Sequence, residues 1–190
     1  MVLVWGSADS TAAMSSSDSD ALRAALRTIP DFPKPGIQFK DISPILADPA
    51  LLRSAVRELS KPFAAEGITR VVGIESRGFL FGTSMADWLG AGFVLARKPG
   101  KLPAETIREE YALEYGTDAL EVHADALGPD DRVVIHDDVI ATGGTAAAAA
   151  RLVERLGAEV IGFSFLIELD ALQGRQKLPA EIPVHIVLDV

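Results

Sequence analysis

The chain has 190 residues, 18 Lys plus Arg against 27 Asp plus Glu, and no cysteine, for a formal net charge of −9. That length suits one ordinary domain able to bury a core without crosslinks, and the absence of cysteine excludes disulfide scaffolds, thiolate metal sites and thiol nucleophiles. The acidic balance argues against a coat for nucleic acid, which needs a basic footprint.

The start, MVLVWGSADSTAAMSSSDSD, lacks the basic region and long apolar stretch of a secretory signal, and no apolar run reaches membrane-spanning length. A cytoplasmic protein without membrane or nucleic-acid partners is expected. Residues 1–19 read as a disordered extension ahead of one domain over 20–190. Met14 is a second candidate start, and an ordinary frayed terminus accounts for the same text equally well.

Helical spacing runs over 20–28, with Asp20 as candidate N-cap. Pro30, Pro33 and Pro35 then force an extended or looped segment. Asp48-Pro49 is an N-cap followed by proline at the first helical position, so LLRSAVREL is helical, ending or kinking near Pro62. Val71–Ile74 reads as a buried strand, 79–89 as a helix closed by Gly90, and Phe93–Ala96 as a second strand. Residues 97–117 show no clear period and read as a long functional loop. A third strand covers 132–136 and a strong helix 145–156, closed by Gly157. Further strands cover 159–167 and 184–188. This alternation predicts an α/β fold with a mostly parallel sheet of about five strands and helices on both faces.

The most informative stretch is RVVIHDDVIATGGTAAAAARL, residues 132–152. An apolar strand meets Asp137 and Asp138, and a helix opens at once after Ala141-Thr142-Gly143-Gly144-Thr145. Glycines allow close backbone approach, and a helix start aims unpaired N–H groups and positive potential at one point. Thr142 and Thr145 add hydroxyl donors, which makes an anion site suited to a phosphomonoester. Walker A and dinucleotide fingerprints are both absent. Two acids would repel phosphate unless they face hydroxyls or a metal, and a ribose 5-phosphate resolves this conflict.

This segment resembles the phosphoribosyl-diphosphate motif of the type I phosphoribosyltransferases. DFPKPGIQFKDISPIL (31–46), GIESRGFLFG (73–82), ARKPGKLP (96–103), EYALEYG (110–116) and FLIELDALQGR (165–175) are similar to the branch of that family that uses adenine. The resemblance covers the chain from about residue 20 to its end. It implies a small N-terminal hood, a flexible lid over 102–116, and a cis peptide bond between Glu75 and Ser76. It also implies Mg²⁺-dependent transfer of a 5-phosphoribosyl group from phosphoribosyl diphosphate to adenine, giving AMP and diphosphate, by a homodimer with a contact near 75–101.

Site residues follow from the same match. Ala141 to Thr145 would hold the 5-phosphate, while Asp137 and Asp138 would hold the ribose hydroxyls and reach Mg²⁺ only through water. Ser76, Arg77, Arg97, Lys98 and Lys101 would hold the diphosphate. Within 70–101, five basic residues face only Glu75 and Asp87, a local +3 in an acidic chain. Glu114 matches the family's proposed acid/base, with Tyr115 beside it and Arg77 at the leaving group. The residues alone do not separate Glu114 from Glu109 or Glu110. Phe39, Lys40 and Leu169 would form the adenine pocket, with Gln38 where relatives carry an aliphatic residue. His123, His136 and His185 lack ligand spacing and read as structural or surface residues. The phosphate motif also fits another base (hypoxanthine, guanine, xanthine or orotate) and a non-catalytic sensor of phosphoribosyl diphosphate. The intact RKPGKLP and LEYG stretches favour the enzyme.

Overall fold

A computed structural model describes residues 16–112 and 116–190. Helix α1 (Ser16–Ala25) begins four residues ahead of the predicted position and leaves Asp20 in its interior. Asp18 pairs with Arg57 and fixes this helix to the body. Arg27 and Thr28, read as helical, instead open strand β1 (Arg27–Pro30), which pairs antiparallel with β2 (Gln38–Asp41) as a small separate sheet. The prolines between them explain the break. Asp31 takes a positive φ of 58° and Phe32-Pro33 is cis. A short helix α2 (Ser43–Ala47) follows, unsignalled by any period. Asp48 caps α3 (Pro49–Ser60) as expected, its carboxylate accepting from the amides of Ala50 at 2.7 Å and Leu51 at 3.0 Å.

The central sheet is parallel, in the order β4 (Gly92–Ala96), β3 (Arg70–Ile74), β7 (Arg132–Ile140), β8 (Glu159–Glu168), β9 (Val184–Asp189). Helix α4 (Gly78–Leu89) connects its first pair, and α5 (Gly144–Arg155) connects β7 to β8. The five-strand parallel sheet flanked by helices agrees with the sequence reading. Val71 and Val134 face a core with α3 and α4, whereas Val72, Ile74, Val133 and Ile135 face a second core with α5. Burial on both faces is why these strands read as short continuous apolar runs.

One expectation fails. Residues 97–117 are not a structureless loop, because β5 (Thr106–Ala112) and β6 (Thr117–His123) form an antiparallel hairpin in register from Thr106↔His123 to Ala112↔Thr117. Residues 113–115, which include Glu114 and Tyr115, lie outside the described residues. The hairpin packs Ile107, Tyr111, Leu120 and Val122 into the core beside α5, but charged residues interrupt its apolar pattern, so no alternation announced it. Glu109 also ties it to α5 by accepting from Arg151 Nε at 2.5 Å and Arg155 Nη1 at 3.1 Å.

Helix α5 thus lies between the sheet and this hairpin, and that sandwich explains its alanines. All of Ala146–Ala150 are buried. Alanine favours the helix, but its small volume is what lets both layers approach. Leucine is almost as good a helix former. Ala149→Leu is therefore expected to lower stability by about 1–3 kcal/mol through overpacking, read as an earlier denaturant midpoint with unchanged slope. An unchanged midpoint would show that the layers have room to spare.

Candidate active site

Parallel strands end at one edge, so the segments after β3, β4, β7 and β8 converge there. Ligands of open α/β sheets bind at this carboxyl edge. Strand β7 runs to Ile140, past the predicted end at 136, so both aspartates are strand residues rather than loop residues. Asp138 pairs with Arg77 at the start of α4. Asp137 lines a cavity of about 90 Å³ with Ile140, Ala141, Thr142, Gly143 and Thr145. The pair that read as one unit therefore serves two places.

The loop geometry agrees with an anion site. Gly143 has φ +76° at the N-cap of α5, and no side chain caps that helix. Its first N–H groups are left for another partner. Gly78 packs so tightly that an added Cβ would lie 2.8 Å from the His136 carbonyl and 3.1 Å from Asp137 Oδ1. That contact seats α4, and with it Arg77, against the acids.

Burial pushes Asp137 well above the usual carboxylate range, and the charge of Asp138 adds to it. Burial also raises Asp138, against the opposing pull of Arg77. His136, beneath them, is lowered to about 4 by burial, with Nδ1 2.8 Å from the Ser164 carbonyl. It is a neutral core residue, as the sequence suggested.

The turn after β3 contains the expected cis bond between Glu75 and Ser76. Ser76 is exposed, and the cations assigned nearby are brought together, but each has an internal partner. Glu75 accepts from Arg97 Nε at 3.2 Å and the Lys98 amide at 3.0 Å, and pairs with Lys101. Burial opposes its ionisation, yet Lys101, the Lys98 amide and Arg97 hold its pKa below the ordinary value. Lys98 donates to Tyr111 Oη at 2.5 Å and pairs with Asp118. Burial pulls the Lys98 ammonium down, but Asp118 and Tyr111 leave it raised overall. The sequence reading missed Glu75, Tyr111 and Asp118. Glu75 was visible there as the lone acid inside a cation-rich turn.

A second cavity of about 400 Å³ lies under the small sheet, lined by Ile29, Phe32, Phe39, Asp41, Arg77 and Leu80 among others. The Arg77 guanidinium sits 5.0 Å from the Phe39 ring centre and donates to the Lys40 carbonyl at 3.2 Å. Strand alternation directs the Lys40 side chain elsewhere, 3.2 Å from Thr28 Oγ1. Leu169 is not among this cavity's lining residues. Its amide donates to the Ile140 carbonyl at 3.0 Å, behind the phosphate loop. Asp41, also missed, is lowered to about 2 by bonds from Ser43 and Arg27.

A parallel sheet whose central strand delivers two acids to an open anion loop defines an α/β protein of the type I phosphoribosyltransferase class. Residues 42–185 match the family described as "Phosphoribosyl transferase domain". The chain belongs to this family. It is 60% identical over 168 residues to an adenine phosphoribosyltransferase of Synechococcus sp., covering 88% of this chain and 96% of that one. A crystal structure of adenine phosphoribosyltransferase from Rhodothermus marinus superposes with TM-score 0.89 at 60% identity, covering 93% of this chain and all of the other. The Saccharomyces cerevisiae enzyme, solved with adenine and an imino-altritol bisphosphate, gives 0.86 at 44% identity, covering 91% of this chain and 99% of that one. No helix among the described residues is long and apolar enough to cross a membrane.

The raised Asp137 has a stability consequence. Above its ordinary 3.8 the unfolded carboxyl loses a proton that the folded one keeps, so stability falls as pH rises through the folded pKa, and the deficit persists at pH 7. Asp137→Asn removes it while keeping an acceptor for the Asp138 amide, 2.9 Å away in the wild type. The variant is expected to melt at a higher temperature than the wild type at pH 7. That advantage should vanish near pH 4. Equal or lower melting at pH 7 would refute the burial argument.

Proposed function

We infer that this chain transfers the 5-phosphoribosyl group of phosphoribosyl diphosphate to adenine, giving AMP and diphosphate. The observation that carries this reading is 60% identity along nearly the whole length of a relative named for that activity. Geometry supports it. An anion loop, two acids, a cation-rich turn and an aromatic-lined cavity converge on one sheet edge.

In this reading Ala141 to Thr145 hold the 5-phosphate through helix-start amides and hydroxyls, and Asp137 and Asp138 accept from the ribose hydroxyls. Ser76, Arg77, Arg97, Lys98 and Lys101 take the diphosphate, exchanging their bonds to Asp138, Glu75 and Asp118 for bonds to phosphate. Phe39 supplies a wall for adenine and Lys40 a backbone carbonyl, while Leu169 stands behind the loop. Adenine N9 attacks C1 of the ribose as the C1–oxygen bond breaks and its electron pair leaves with the diphosphate. Glu114, with Tyr115 beside it, accepts the N9 proton. Positioning and stabilisation of the departing charge do most of the work.

Mg²⁺ enters with the sugar diphosphate. Asp137 and Asp138 suit it, through water, as hard oxygen acceptors whose ionisation burial disfavours, a condition that a nearby cation relieves. The ion would supply neutralisation of the diphosphate charge. We further place the chain in the cytoplasm as a homodimer, with the exposed Leu80, Trp88 and Leu95 marking the contact stretch.

One assay tests the core of this reading. The protein is incubated with phosphoribosyl diphosphate, Mg²⁺ and each nucleobase in turn, and the nucleotide formed is identified. AMP from adenine alone is expected. IMP or GMP in its place would overturn the base assignment, and binding without turnover on any base would point to a sensor. Replacing Asp137 and Asp138 together by Asn should lower kcat/KM by about 100-fold or more, as loss of two charged hydrogen-bond acceptors implies.

A further inference from the structure

Behind the phosphate loop, on the side away from its small cavity, lies the segment that follows β8. Gly174 is buried there against the loop. A Cβ on Gly174 would stand 2.3 Å from the Ala141 carbonyl oxygen and 2.8 Å from Ile140 Cγ1. A Cβ on Gly143 would stand 2.1 Å from the Gly174 carbonyl oxygen. The obstacles are mostly backbone atoms, so neither contact can be relieved by turning a side chain. The segment is fixed at both ends. Before it, the Leu169 amide donates to the Ile140 carbonyl at 3.0 Å. After it, Arg175 Nε donates to both oxygens of Glu168 at 2.8 and 2.7 Å, and its Nη2 approaches Oε2 at 2.5 Å. Glu168 is nearly fully buried and pairs with Ile140 in the β7–β8 register. Gln173, with φ +49°, makes the reversal that brings Gly174 inward.

None of Glu168, Gly174 and Arg175 lines the loop cavity. They touch the back of the loop whose front faces the anion. We propose that Gly174 is a positioning residue for the phosphate loop, held in place by the Glu168–Arg175 pair, and that this buttress sets the affinity for the 5-phosphate. The proposal rests on the phosphoribosyl reading of the loop. Its physical basis is that the loop's amides must converge on one point, and a loop with two adjacent glycines cannot hold such a shape unaided.

Gly174→Ala tests it by separating two anions. Ribose 5-phosphate needs the loop, whereas diphosphate needs the cation turn. Calorimetric Kd values for both are measured on wild type and variant, together with KM for phosphoribosyl diphosphate and kcat. The expected result is a loss of about 10- to 100-fold in ribose 5-phosphate affinity, with a matching rise in KM, while diphosphate affinity and kcat stay within about threefold. Glu168→Gln, which leaves Gly174 intact but weakens its fastening, should show the same selectivity in milder form. It also serves if the alanine variant fails to fold. Unchanged ribose 5-phosphate affinity, or an equal loss for both anions, would overturn the proposal. Wild-type protein that binds no ribose 5-phosphate would instead sink the functional reading on which the proposal stands.

Discussion

Everything at the carboxyl edge depends on two carboxylates carried into the protein by the central strand. Asp137 and Asp138 end up where burial raises both pKa values. Desolvation is the largest cause at each; the charge of Asp138 adds to it at Asp137, whereas Arg77 opposes it at Asp138. A site of this kind needs a fixed cation nearby, and Arg77 supplies one. Its position requires α4 to start almost on top of β7, which only glycine at position 78 permits. The same guanidinium reaches the Phe39 ring and the Lys40 carbonyl. One half-buried guanidinium thus joins the start of a helix, the small sheet and the lining of the larger cavity.

The cation turn obeys the same rule with signs reversed. A chain of net −9 concentrates positive charge in 70–101, yet the structure pairs each of those cations with a carboxylate. Glu75 collects Arg97, Lys101 and the Lys98 amide, and Asp118 with Tyr111 takes Lys98. These carboxylates occupy directions that phosphate oxygens could take. Their pairing holds long, flexible side chains in a cluster, so less freedom is left to lose when an anion arrives.

The parallel sheet, its five strands and the helix behind the phosphate loop were legible because their signals are local: apolar runs, glycine closures and a motif of fixed spacing. Asp48 with Pro49 announced α3 for the same reason. The β5–β6 hairpin was not legible. Charged Arg108, Glu109 and Glu110 break up the apolar pattern of Thr106–Ala112, and Glu109 finds its partners only on a helix far along the chain. Likewise, Asp118 looked like an ordinary acid until the fold set it against Lys98. The absence of Lys40 and Leu169 from the lining of the larger cavity has a similar cause. A motif match reports identity at a position, whereas strand alternation and a backbone bond to Ile140 decide where the residue stands.

The hairpin also links the two anion-facing regions mechanically. Strand β5 is tied to α5 through Glu109, and Gly144 at the helix start lies close under Ala112, where an added Cβ would meet the carbonyl oxygen at 3.3 Å. Strand β6 is tied to the cation turn through Asp118 and through the backbone pair between Arg97 and Glu121. Glu114 and Tyr115 therefore fall, in sequence, between one strand anchored at the phosphate helix and another anchored at the cation turn. The hairpin thus joins the start of α5 to the turn after β4 by ties that do not pass through the sheet.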